Sequence, residues 1–361
     1  MRKQAFLILV FLTVFLFISI SYAEKEIQEI EQGASPTTQT YNSIGGSATD
    51  PYLYLQEPIL VYPDSKGKYQ EIKRDGNYIF TDEKIVTDAF VRNPLGKFDT
   101  KRVWVTMNVE PVPGEGMEIV CIPNLKKKTI PKGIHLDVGK FNKNTDMWYR
   151  CELTANESMY GKYWIGYGVL NSKDEGGFFG SWDYFFNPII SMSLDGVFTF
   201  ENVTHGSVVY SDALLLRNEE ADLSSGIKLD MYISGADFYD PSSGAKCPIS
   251  NKLELKNLRY SAANGAYTSG KNKGVDKEGY SPINYGSDFS TLTEKNKIIQ
   301  QKNGNSLDIG QEMSIKFKLN VPSPCQGHFD SYSLYIWGKV SDNSPFSPSL
   351  RLDISPEITV A

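Results

Sequence analysis

The sequence predicts an all-β protein, two β-sandwich domains in tandem, and three observations carry that reading. Short segments rich in Val, Ile, Thr, Tyr and Phe recur from about residue 51 onward, separated by Gly, Pro, Asn and Asp clusters. Aromatic residues make up 12%, with 21 Tyr and 19 Phe, whereas long Ala/Leu/Glu/Lys windows at helical spacing are nearly absent. The texture also breaks and restarts around Tyr184-Phe185-Phe186-Asn187-Pro188, with two of the four cysteines on each side. That stretch reads as a packed junction in which Asn187-Pro188 makes a turn, the proline biasing Asn187 toward an extended backbone.

Length and charge bound the rest. A chain of 361 residues is long enough for two domains with separate cores. Its formal net charge of −6, from 43 acidic and 37 basic residues, leaves no basic footprint, so nucleic acid is not an expected partner.

The N-terminus sets the compartment. Arg2 and Lys3 precede a charge-free, mostly apolar run over 5–20, and Ser21-Tyr22-Ala23 places small residues at a cleavage site. Residues 1–23 are therefore expected to be a signal peptide and the mature chain to be secreted, at or beyond the cell surface. A membrane contact is expected only if the segment stays uncleaved, since the run is nearly long enough to span a bilayer. Residues 24–50, charged at first and then rich in Ser, Thr, Gln and Gly, bury too little to offset ordering entropy and are expected to form a disordered arm.

The first domain is expected over 51–187. Pro58-Ile59-Leu60-Val61-Tyr62-Pro63 is a strand framed by prolines and hence placed at an edge. An unpaired edge over 53–62 offers a place for a neighbouring sheet to add. Strands at 77–80, 85–92, 101–109 and 117–122 follow, with a turn at Asn93-Pro94-Leu95-Gly96 and a Pro/Gly loop over 110–116. Lys126-Lys127-Lys128 reads as a solvated loop. Tyr149 precedes Cys151 by two, a spacing seen in immunoglobulin-type tyrosine corners, although simple strand alternation also puts the two on one core face. The aromatic run over 160–170 is a strand whose glycines suggest a bend or close backbone approach.

The second domain is expected over 188–361. Strands are read at 197–200, 213–218, 226–234, 252–260 with a slip at Asn257, 314–321 and 333–340, where Trp337 points inward or to the domain edge. Residues 265–286 form a long Gly/Ser/Lys/Tyr loop, of a length that is uncommon unless disordered or functional.

Cys121, Cys151, Cys247 and Cys325 suit disulfides in an exported chain. Three pairings are possible, and the simplest joins Cys121 to Cys151 and Cys247 to Cys325, one bridge per half. Zinc is disfavoured, because no Cys-x-x-Cys occurs and His135, His205 and His328 are far apart in sequence.

Val197-Phe198-Thr199-Phe200, Leu214-Leu215-Leu216-Arg217-Asn218, the run Leu229-Asp230-Met231-Tyr232-Ile233-Ser234-Gly235-Ala236-Asp237 and Asn257-Leu258-Arg259-Tyr260-Ser261 carry a resemblance. The second half resembles Ig-like β-sandwich modules recurrent in exported archaeal cell-surface proteins. More broadly, Pro58-Ile59-Leu60-Val61-Tyr62-Pro63, Phe185-Phe186-Asn187-Pro188, Tyr239-Asp240-Pro241 and Ala245-Lys246-Cys247-Pro248 resemble, in the same order, secreted two-domain proteins of small-genome archaea. The resemblance implies an Ig-like fold and an envelope protein. It brings no catalytic residue.

No serine-hydrolase elbow, zinc-protease helix, phosphate loop or dinucleotide fingerprint is present. Candidate sites are therefore few. Asn156-Glu157-Ser158 and Asn202-Val203-Thr204 are glycosylation sequons. Asp237 and Asp240, with Ser242, offer oxygen ligands for calcium, against the plainer reading of an Asp-Pro turn; no other cofactor is expected. Trp182 and Tyr184, in an aromatic and glycine-rich stretch over 176–184, would stack on sugars if exposed and otherwise bury area near the junction. The function these readings favour is a non-catalytic structural or adhesive envelope component, with other envelope proteins or itself as partner. A carbohydrate-binding module or receptor is the alternative, and a secreted glycoside hydrolase stands behind it.

Overall fold

The computed structural model describes residues 48–109, 116–129, 140–219, 225–242, 244–249, 251–330 and 334–361. The expected signal segment and the expected arm up to residue 47, most of the 110–116 loop and His135 lie outside the described residues; of Asn202 and of 179–181 only the backbone is described. The protein is all-β: the described residues form 28 strands and five three-residue 3-10 turns. None of their helices is long and apolar enough to cross a membrane.

The chain divides into two compact units that interleave along the sequence. The first takes residues up to 61, 84–154 and 162–184; the second takes 62–83, 155–161 and 185–361.

In the first unit Lys84–Arg92 is the central ladder. Tyr52–Leu55 pairs with its second half, Leu53 opposite Val91, and Ile59–Pro63 with its first half, Leu60 opposite Ile85. Asp146–Thr154 runs antiparallel along its other side, and Ile122–Asn124 lies beyond. A second sheet has the order Gly176–Phe186, Gly161–Asn171, Thr100–Asn108, Met117–Val120. The Thr87 and Tyr167 hydroxyls, 2.6 Å apart and buried, join the two sheets face to face. The outer face of the first sheet is covered too, because Tyr54, Phe90 and Trp148 form a buried cluster there with Phe141 packed against it. Six of the nine residues of Lys84–Arg92 are accordingly buried, more than a half-solvated strand allows.

Cys121 explains why a bridge is useful in this unit. Met117–Val120 pairs with Thr100–Asn108 in one sheet, whereas Ile122–Asn124 pairs with Asp146–Thr154 in the other. The chain changes sheets at Cys121, and its disulfide to Cys151 pins that crossing. Gly168 shows why the aromatic run over 160–170 carries glycine: a Cβ there would sit 2.4 Å from the Trp104 ring.

Two readings of this region are corrected. The proline-framed strand is not an outer edge. Lys84–Arg92 pairs along one side, and Tyr62-Pro63 turn through a hairpin, Asp64 N to Lys68 O at 2.9 Å, that sets Tyr69–Glu71 beside the strand. The lysine loop is exposed at Lys126 and Lys128, but Lys127 is half-buried and engaged: its Nζ donates to Asp88 (2.9 Å) and Gln56 (3.0 Å) and lies 3.6 Å from the centre of the Trp148 ring. A long aliphatic stem lets it reach both carboxylate and ring.

The second unit has a single large core. One sheet has the order Ser191–Asp195, Leu214–Glu219, Glu312–Asn320, Leu258–Asn264, with shorter strands at its margins. Another has the order Asn284–Tyr285, Leu229–Gly235, Leu334–Val340, Ser349–Ile354. Their inward residues, among them Leu216, Ile315 and Phe317 from one sheet and Met231, Ile233 and Ile336 from the other, belong to one buried cluster. Cys247–Cys325 lies in this unit. The register slip read at Asn257 is a 3-10 turn, Leu255–Asn257, between Lys252–Leu253 and Leu258–Asn264.

Two polar constructions hold outlying segments to this core. Arg74, with no exposed side-chain surface, donates to Glu83, Asp342 and Ser347 and to the carbonyl of Tyr78. Asn187 is the other, and it overturns the extended backbone expected of it. Its φ is 46°, a left-handed conformation that asparagine tolerates. Its Oδ1 accepts from Thr81 N (2.7 Å) and Oγ1, and its Nδ2 donates to the carbonyls of Asn156 (2.7 Å) and Met159 (2.6 Å). One side chain thus ties three stretches of the second unit together.

Residues 265–286 are ordered by buried polar side chains. Ser269 Oγ accepts from Ala262 N, Ser281 Oγ donates to the Ser269 carbonyl, and Asn272 bonds Tyr260, Ile298 and Gln300. The loop is long in sequence but anchored throughout.

Candidate functional site: an aromatic sheet face in the second unit

Strand period builds the candidate site. In Leu229–Gly235 the odd positions 229, 231 and 233 enter the core, so Asp230, Tyr232 and Ser234 take the opposite face. Cross-strand register then extends each of these positions into a row. Tyr232 stands opposite Trp337, and Trp337 opposite Arg351. Ser234 stands opposite Tyr335, which stands opposite Asp353. Asp230 stands opposite Lys339, which stands opposite Ser349.

Trp337 is the floor of this face, 6% exposed, its indole N–H donating to Ser234 Oγ at 3.0 Å. Half-buried rings surround it. Phe289, from the turn Phe289–Thr291, lies 5.8 Å from Trp337 and 6.0 Å edge-on from Tyr232, and Tyr335 lies 6.3 Å from Trp337. The Arg351 guanidinium sits 5.1 Å from the Tyr335 ring and 5.2 Å from the Trp337 ring, within the range of cation–π attraction. Asp353 orients it, with Nε to Oδ1 at 2.5 Å.

The carboxylates on this face are paired. Asp230 accepts from Ser306 and lies 3.8 Å from Lys297, whose ammonium also holds Glu294 at 3.0 Å. Burial, with the nearby carboxylates of Asp230 and Glu294 adding to it, pushes the Tyr232 phenol well above its ordinary pKa, so it stays neutral. Chemically the face can stack, donate and accept; each carboxylate on it is committed to a cation.

The residues singled out from sequence fall elsewhere. Trp182 and Tyr184 are in the first unit. Tyr184 is buried and presents no ring to a ligand, and half-buried Trp182 packs edge-on against Tyr167 at 5.4 Å. Asp237 and Asp240 have separate partners. Burial would raise the Asp237 pKa, but the Lys252 ammonium, the Tyr285 hydroxyl and the Leu255 amide outweigh it and hold the carboxyl below the usual range. Asp240 accepts from the Ser242 hydroxyl (2.5 Å) and amide (2.8 Å), which hold it low as well. The amides of Ala245 and His328 also donate to this Asp-Pro turn, and among the described residues no three His, Cys, Asp or Glu side chains are grouped to hold a metal. Asn156 is exposed, its Oδ1 accepting from Ser158 N and Oγ. Asn202 lies in the strand Thr199–Val203, and its side chain is outside the described residues.

The aromatic face escaped the sequence reading because its residues come from three strands and a turn spread over 120 positions. The signal that was available is alternation: Tyr232, Tyr335 and Trp337 stand at alternate positions opposite apolar neighbours.

No family model matches the chain, and no curated protein matches it. Among known structures, the C-terminal domain of the antigen I/II polypeptide BspA of Streptococcus agalactiae is similar at 9% identity, over 84% of this chain and 100% of that one, with a TM-score of 0.31. CfaE, the adhesive subunit of the CFA/I fimbria of enterotoxigenic Escherichia coli, is similar at 9% identity over 88% and 82%, with a TM-score of 0.31. A family 123 glycoside hydrolase from Clostridium perfringens is similar at 12% identity over 47% and 27%, with a TM-score of 0.24. At these scores none carries an argument about function.

Proposed function

We propose that this chain is a non-catalytic extracellular protein, a structural or adhesive component of a cell envelope, and that its second unit engages its target through the aromatic sheet face. The observation that carries the reading is the pair of rows Tyr232–Trp337–Arg351 and Ser234–Tyr335–Asp353, whose rings and paired charges suit recognition of a flat polar target. Two disulfides agree with an oxidising compartment. The archaeal envelope and secretion by a cleaved signal segment belong to the same proposal.

Carbohydrate recognition is the mode of binding this face favours, since half-buried rings beside hydrogen-bonding charges match what a sugar offers. A hydrolase draws less support. A glycosidase needs two carboxyl groups free to flank a scissile bond, and Asp230 and Asp353 are each held beside a cation.

Binding of the purified chain to envelope preparations and to a glycan array tests the reading. Tyr335→Ala and Arg351→Ala are expected to reduce binding, and Trp182→Ala to leave it intact. Binding unmoved by the first two, or abolished by the third alone, would place recognition away from this face and overturn the reading.

A further inference from the structure

The edge of the aromatic face continues into a cavity. Asn284–Tyr285 pairs in parallel with Leu229–Gly235, Asn284 in register with Ser234, so Asn284 extends the row Ser234–Tyr335–Asp353 by one strand. Asn284 also lines a cavity of about 180 Å³ together with Lys273, Ser281, Pro282, Lys295 and Gln300. That volume is below the range of pockets that engulf a whole ligand, and it suits one substituent of a larger one.

The polar groups of the wall are divided in a telling way. Ser281 Oγ donates to the Ser269 carbonyl, and the amides of Asn284 and Gln300 both donate to the Lys295 carbonyl, at 2.9 and 3.1 Å. Gln300 Oε1 accepts from the Lys273 backbone N–H at 3.0 Å, and the Gln300 backbone N–H donates to Oδ1 of buried Asn272. These bonds fix the backbone at both lysines. Among the described residues neither the Lys273 nor the Lys295 ammonium has an ion-pair partner, and no carboxylate lines the cavity. Two lysines lining a small cavity to which the chain brings no anion of its own offer a seat for an oxyanion.

We propose that this cavity binds an oxyanion carried on a sugar, a carboxylate or a sulfate ester, while the adjoining face receives the ring. The inference rests on the face reading and adds the ligand class: an acidic saccharide in preference to a neutral one.

Calorimetry with the full chain tests it, using short oligosaccharides of a polyuronate, a sulfated glucan and a neutral glucan of equal length. The acidic ligands are expected to bind on the order of tenfold more tightly than the neutral one, as two partly screened ion pairs allow, with the preference shrinking at high salt. Lys273→Gln combined with Lys295→Gln should abolish the preference, and both lysines are exposed, so folding is not at stake. Uronate binding alone or sulfate binding alone supports the proposal and identifies the source. A neutral ligand bound equally well, a preference that survives the double variant, or no saccharide binding at all overturns it. If in the last case envelope binding still falls with Tyr335→Ala, the adhesive reading stands without the oxyanion seat; if it does not fall, both fail.

Discussion

The Arg74 guanidinium lies 2.8 Å from the Glu83 carboxylate, and neither side chain has any exposed surface. The same guanidinium reaches Asp342 at 2.6 Å, and the rings of Tyr78 and Phe80 lie 4.7 and 5.0 Å from it. Asn343 closes the join by accepting from Lys73 N and donating to the Glu71 carbonyl. The stretch 71–83 is thus held to 342–347 by buried charge. Arg74→Met strands two carboxylates without a cation, and a destabilisation of about 3–5 kcal/mol is expected in urea unfolding. A loss well under about 1 kcal/mol would mean that water reaches the cluster.

Asn187 is expected to be the second sensitive position. Asn187→Ala removes four side-chain hydrogen bonds and keeps a left-handed φ without a residue suited to it, for a combined cost of about 2–4 kcal/mol. Asn187→Gly relieves the backbone and should cost less. Equal losses for the two variants would show that the backbone conformation contributes nothing.

Acid should weaken the first unit through Asp88. Burial alone would raise its pKa, but hydrogen bonds from Arg150 and Lys127 outweigh burial and hold it low. A carboxyl depressed in the folded state contributes stability above its unfolded pKa of about 3.9 and loses it as pH falls through the lower folded value. Asp88→Asn should therefore destabilise at neutral pH, with the gap from the parent closing below about pH 4. Urea midpoints across that window check it; a gap that widens on acidification would have the wrong sign.

The two bridges should differ in worth. Cys121–Cys151 spans 30 residues and Cys247–Cys325 spans 78, so the chain-entropy model assigns about 3.6 and about 4.5 kcal/mol. Paired Cys→Ser variants, followed by guanidinium unfolding, are expected to rank in that order. Non-reducing peptide mapping that linked either half's cysteine to the other would contradict both pairings.

The sequons offer a chemical check on export. Asn156 is exposed in a turn closed by Ser158, and native protein is expected to carry glycan on Asn156 or Asn202. Mass spectrometry finding both peptides bare would remove glycosylation from the picture.

Composition and period two were enough to identify an all-β chain and many of its longer strands, because alternation is written locally: Ile227, Leu229, Met231 and Ile233 declare their buried face without help from any partner. Cysteine parity likewise pointed to the two pairs now seen bonded. Tertiary structure alone decided what depends on partners remote in sequence. Arg74 and Asp342, 268 positions apart, look like ordinary surface charges until the fold buries both. Asn187 takes a left-handed turn against the bias of its proline because two carbonyls, a hydroxyl and a backbone N–H converge on one amide side chain. Tyr232, Tyr335, Trp337 and Arg351 become one face only when register sets their strands side by side, and register is a property of paired strands that no single segment contains.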